Sequence, residues 1–113
     1  MKRLTDIRPW GNFVEYTHNE NTTVKILTVL PGQELSLQYH AHRNEFWRIL
    51  SGHPSLIIGE KQIEAKPGDE FEISADIQHQ IKAVADEVQV LELSFGDFDE
   101  NDIVRIKDKY GRV

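Results

Sequence analysis

The stretch Gly32-Gln33-Glu34-Leu35-Ser36-Leu37-Gln38-Tyr39-His40-Ala41-His42-Arg43-Asn44-Glu45-Phe46-Trp47-Arg48-Ile49-Leu50-Ser51-Gly52 decides the fold. From Glu34 to His40, Leu35, Leu37 and Tyr39 alternate with Ser36, Gln38 and His40, so a period of two puts Gln38 and His40 on one strand face. Residues 41–44 read as a turn, and Glu45 opens a second strand that runs to Leu50 and stops at Ser51-Gly52. Apolar β-formers flank the polar groups on both sides. Those groups are therefore expected to face inward, where they must be hydrogen-bonded, paired or bound to something.

Working outward, Phe13–Tyr16, Thr22–Leu30, Pro54–Ile58, Lys61–Ala65, a short run ending at Ile73, Ile77–Val84 and Val88–Phe95 also read as strands. Pro31-Gly32, Gly59-Glu60 and Lys66-Pro67-Gly68-Asp69 punctuate them as turns. About nine short strands with frequent turn signals predict an all-β sandwich or small barrel, expected to be a single domain over residues 1–113. The tail departs from this pattern. Asp99 to Arg105 offers an N-cap followed by acids, which predicts a short C-terminal helical turn, and the acidic run Asp97–Asp102 reads as its solvated start. Trp10 and Trp47 read as packing residues, and His18 and His53 as solvent-facing turn residues.

A net charge of −6 and a pI near 5.3 argue against a general nucleic-acid binder, which carries a basic footprint. No apolar run is long enough to span a bilayer, so no membrane partner is expected. The start, Met1-Lys2-Arg3-Leu4-Thr5-Asp6, has no apolar stretch behind its basic residues, so a cytoplasmic location is the expectation. There is no cysteine, which removes thiolate zinc sites, disulfides and cysteine nucleophiles together. Any metal must be held by nitrogen and oxygen.

Such a set is at hand. Gln38 and His40 share a face, Glu45 follows across the turn, and His79 on a later strand can supply a second imidazole. Two neutral imidazoles, a carboxylate and an amide oxygen suit a divalent ion such as Zn, Mn, Co, Fe or Ni without selecting among them. Gln38 serves either as a ligand or as a group orienting one.

The spacing resembles the cupin superfamily. Its first motif is met by Gly32, Gln38, His40, Glu45 and Gly52, with Gln38 in place of the first His. Of its second motif Gly68 and His79 are kept, while Ser74, Asp76 and Ala83 replace Pro, Gly and Asn. Asp76 is a workable substitute, since Asp tolerates the left-handed backbone better than most residues.

Further runs, Arg8-Pro9-Trp10-Gly11, Leu35 to Gln38, His42-Arg43 with Glu45 and Trp47, Asp102 to Arg105 and Tyr110-Gly111-Arg112, resemble the cupin domain of type II mannose-6-phosphate isomerases. In that family the domain often follows a sugar-phosphate nucleotidylyltransferase domain. The resemblance implies a double-stranded β-helix (jelly-roll) barrel and metal-dependent interconversion of mannose 6-phosphate and fructose 6-phosphate through a cis-enediol. It also implies a functional role for Arg43, with His42 as a candidate for proton transfer. A sugar phosphate needs positive charge, for which Arg8, Arg43, Arg48 and Lys25 are the candidates. Two other readings stand beside the isomerase: a catalytically silent cupin module that holds a sugar phosphate, and another cupin enzyme such as a metal oxygenase. Small cupins commonly pair through strand edges, so a homodimer is expected.

Overall fold

The computed structural model of the chain describes residues 4–112, which form eleven strands and no helix. Strands β1 (Leu4–Arg8) and β2 (Gly11–Glu15) make a hairpin on their own. A four-stranded antiparallel sheet runs in the order β3 (Thr22–Val29), β10 (Val88–Phe95), β5 (Asn44–Ser51), β8 (Glu70–Ile73). The five-stranded sheet runs β11 (Val104–Lys107), β4 (Leu37–Tyr39), β9 (His79–Lys82), β6 (Ser55–Ile58), β7 (Lys61–Glu64), again all antiparallel.

The core lies between these two sheets. Trp47, Ile49, Ile73, Val88 and Val90 come from the four-stranded sheet, and Leu56, Ala65, Ile81 and Ala83 from the side of the five-stranded one. Each large side chain buried there contributes roughly 1.5–3 kcal/mol. Strand alternation sets what else points inward. Glu45 stands opposite Ser94 and Trp47 opposite Glu92, so the face that carries Trp47 into the core also carries two carboxylates. Phe46, on the opposite face, is buried under the Tyr16 ring, 5.2 Å away between centroids. Two backbone positions hold this arrangement. Gly52 closes β5 at φ +81°, where a Cβ would lie 2.3 Å from the Glu87 carbonyl oxygen. Asp76 takes φ +68°, and its N–H donates to the His40 carbonyl at 2.7 Å, tying the turn before His79 to the first stretch.

Three expectations change. The C-terminal helical turn does not form: Asp99 accepts from Asn101 and Asp102 in a single turn, and β-branched Val104 and Ile106 then continue as β11, whose ladder bonds come from β4. Leu4–Arg8, which is not among the expected strands, forms β1. Trp10 is 73% exposed at the hairpin tip rather than packed, whereas Trp47 is buried as read.

Candidate metal centre

His40 directly follows β4, Glu45 lies on β5 and His79 begins β9, so segments from both sheets deliver one ligand each. All three side chains are buried, and their nearest ligand atoms lie within 4.8 Å of one another. Glu45 Oε1 is 3.2 Å from His79 Nε2 and 3.6 Å from His40 Nε2.

The other ring nitrogens define the tautomers. His40 Nδ1 is 2.6 Å from the Asp102 carbonyl and His79 Nδ1 is 2.9 Å from the Ile77 carbonyl. A carbonyl only accepts, so each Nδ1 carries a proton and each ring turns its Nε2 inward. Glu45 Oε2 accepts from the Ser94 hydroxyl at 3.1 Å, which leaves Oε1 facing the rings. Glu45 Oε1 and His79 Nε2 make no aligned hydrogen bond despite their proximity. Only a proton on His79 Nε2 or a cation between the groups relieves such a meeting of lone pairs. The donor set suits a cation: two imidazoles and an anion, with no thiolate.

Protonation favours the same state. Burial holds the His40 imidazole below its ordinary value, and the Arg43 guanidinium adds to this, outweighing the Asp102 carbonyl and Glu45. Burial alone would raise the Glu45 carboxyl, but His79, His40 and Arg43 outweigh it and keep the group ionised. A neutral His40 imidazole and an ionised Glu45 carboxylate are states that metal binding requires.

Asp102 was hidden in the acidic run. Its carboxylate accepts from the Ala41 and His42 amides, both at 2.9 Å, while its own carbonyl holds His40 Nδ1. The residue clamps the turn between two ligands. Asp102→Ala is therefore expected to weaken metal binding about 10–100-fold while the fold is retained, as measured by competition with a chelating dye.

The centre opens into a cavity of about 620 Å³. Gln38 lines it, with its amide oxygen accepting from the Ser36 hydroxyl at 2.5 Å. Arg43 also lines it, 9% exposed, and donates from Nη2 to His40 Nε2 at 3.1 Å and from Nη1 to the Asp99 carbonyl at 3.2 Å. A cation taking the His40 lone pair would displace the first of these bonds. Lys25 reaches the same cavity, 4.1 Å from the Phe98 ring centre, and Arg43 stacks on that ring at 4.3 Å.

The structure does not bring every candidate together. Arg8 lies exposed on the hairpin, doubly bonded to Asp6. Arg48 follows Trp47, so the strand period sends it to the outer face, where it pairs with Glu70 at 2.8 Å. His42 is exposed and outside the cavity, and its backbone N–H donates to Asp102. Two lining residues escaped the sequence reading. Arg105 stands opposite Gln38 across β11 and β4, with a buried Nε that has no hydrogen-bond partner. Glu92, 8% exposed, makes no hydrogen bond or ion pair among the described residues. Burial and the nearby Glu45 charge push its carboxyl up to about 7, against the pull of Lys25 and Arg43.

Two antiparallel sheets enclosing a His/Glu cluster near an open cavity define a cupin. In keeping with this, the crystal structure of a cupin protein from Bacteroides fragilis matches with a TM-score of 0.61 at 27% identity, covering 69% of this chain and 70% of that one. The family is narrower. A family model described as mannose-6-phosphate isomerase C-terminal matches residues 2–108, and the chain belongs to that family. Among curated relatives, the xanthan biosynthesis protein XanB of Xanthomonas campestris is 35% identical over 108 residues, covering 94% of this chain and 23% of XanB. A mannose-1-phosphate guanylyltransferase of Klebsiella pneumoniae is 35% identical over 114 residues, covering 98% of this chain and 24% of that protein. The chain thus spans about a quarter of the length of these relatives. No described helix is long and apolar enough to cross a membrane.

Proposed function

We propose that the chain is a divalent-metal-dependent isomerase of phosphorylated sugars, interconverting mannose 6-phosphate and fructose 6-phosphate. One observation carries the reading: three converging, buried lone-pair donors open onto a cavity that also holds Lys25, Arg43 and Arg105. His40, Glu45 and His79, with Gln38 beside them, would hold the ion. When bound, it supplies Lewis acidity to neighbouring sugar oxygens.

The chain's own residues supply the rest. Lys25 and Arg105 offer positive charge to the phosphate, and the Arg43 fork to the negative charge that develops on oxygen as the cis-enediol forms. Aldose–ketose interconversion moves one proton between adjacent carbons, which needs a group able both to take and to return it. Glu92 is placed for this, being buried in the cavity and balanced near neutrality. It takes the part that His42, lying outside the cavity, cannot. We place the protein in the cytoplasm, with no role in nucleic-acid binding.

The test is turnover. Protein loaded with Zn, Mn or Co is expected to convert mannose 6-phosphate to fructose 6-phosphate in a coupled assay. A second reading, a silent sugar-phosphate module, draws on the guanylyltransferase names of the longer relatives. Calorimetric binding of mannose 6-phosphate with no turnover under any metal would select it.

A further inference from the structure

Lys25 does not pair where its register would pair it. It stands on β3 directly opposite Glu92 on β10, and both residues line the cavity. A lysine facing a buried carboxylate across an antiparallel pair is placed for a salt bridge. None forms. Among the described residues Lys25 makes no hydrogen bond or ion pair, and its ammonium lies over the Phe98 ring instead, 4.1 Å from the centre.

The ring itself is fixed from both sides. Phe98 belongs to the loop between β10 and β11. At the start of that loop the Gly96 N–H donates to the Asn21 carbonyl at 2.9 Å, and Asn21 Nδ2 donates to Asp97 Oδ1 at 2.7 Å. Just past the ring, the Asp99 carbonyl accepts from Arg43 Nη1 and from the Asp102 N–H. Arg43 also stacks on Phe98, at 4.3 Å, but it has hydrogen bonds to Asp99 and His40 that hold it without the ring. Lys25 has no such second anchor among the described residues. An ammonium on a flexible four-carbon stem is otherwise free to swing into water or onto the nearest carboxylate.

We propose that Phe98 is a positioning residue, whose ring draws the Lys25 ammonium away from Glu92 and holds it toward a bound phosphate. This rests on the reading of the cavity as a sugar-phosphate site. A ring quadrupole attracts a cation without neutralising it, so the charge stays available to an anion, whereas a carboxylate would cancel it. The same separation leaves Glu92 unpaired and able to exchange a proton. With two cations within 4.3 Å of its centre, the ring serves charge and not the sugar's own faces.

Calorimetric titration of the full chain with inorganic phosphate, freed of metal so that no ion takes the anion, tests this without calling on turnover. The wild type is expected to bind. Phe98→Leu keeps an apolar side chain but no π face and should bind phosphate about tenfold more weakly, while Phe98→Tyr keeps the face and should stay within about twofold. Both variants should retain the far-UV circular dichroism spectrum. In a Lys25→Met background Phe98→Leu should cost much less, because the charge that the ring positions is gone. A role in loop packing alone would make the cost the same in both backgrounds. That equality, a leucine variant that binds like wild type, a tyrosine variant as weak as the leucine one, or a wild type that binds no phosphate would each overturn the role given to Phe98. Phosphate binding that depends on Phe98 in a protein without turnover would keep that role and discard the isomerase.

Discussion

Glu45→Gln is expected to lower metal affinity on the order of a thousandfold and to remove turnover with it. Glu45 is the only anion among the three converging ligands, and its Oε1 lies 3.2 and 3.6 Å from the two ring nitrogens. Unit charges about 4 Å apart at an effective dielectric near 20 interact by about 4 kcal/mol, and a divalent ion gains at least that from one carboxylate. At 1.36 kcal/mol per tenfold, the loss is roughly three decades. In the metal-free fold glutamine keeps the volume and an oxygen for the Ser94 hydroxyl, but it leaves the buried Arg43 guanidinium, whose Nε lies 3.6 Å from Glu45 Oε2, without its carboxylate, so some stability should be lost. Metal content after dialysis, read by atomic emission, checks the affinity, and the coupled assay checks turnover. His79→Ala should behave alike. Full metal retention in both variants would remove these residues from the ligand set.

Much of this centre was legible in the chain because strand alternation is a local rule. Gln38 and His40 sharing a face and Glu45 near the start of the next strand follow from neighbouring residues, while the left-handed backbone at Asp76 follows from its place in the cupin motif, and the structure shows each of them. What failed was long-range. Charge alone nominated Arg48, but parity with Trp47 already sent it outward, and Arg8 sits on a hairpin whose direction no local pattern encodes.

The tail misled for a different reason. Acids after Asp99 look like a helix start, yet its strand partner β4 is some sixty residues away, and only that pairing turns Arg105 toward Gln38. Asp102 was hidden by the same error. Glu92 had a readable signal, its parity with Val88 and Val90 on the inward face of the strand, but its meaning depends on which carboxylate lies across the sheet.

Glu92→Gln carries the second large effect, with opposite signs for stability and activity. In the wild type, burial and the Glu45 charge raise the carboxyl from the ordinary 4.5 to about 7. Between those values the folded protein keeps a proton that the unfolded chain has released, so stability falls as pH rises through this window. The loss is complete above about pH 7 and amounts to about 3 kcal/mol. Glutamine is neutral throughout and nearly isosteric, so the metal-free variant should be the more stable protein at pH 8, with a melting temperature about 10 °C higher. At pH 4.5 the two should melt close together. The wild type keeps this unfavourable carboxylate in the cavity, which fits a group retained for proton transfer. On that account kcat should fall 10²–10⁴-fold in the variant, while KM and metal content hold. Thermal melts from pH 4.5 to 8 and steady-state kinetics separate the two effects. Parallel melting profiles would show that Glu92 is not strained, and an unchanged kcat would hand the proton to another group.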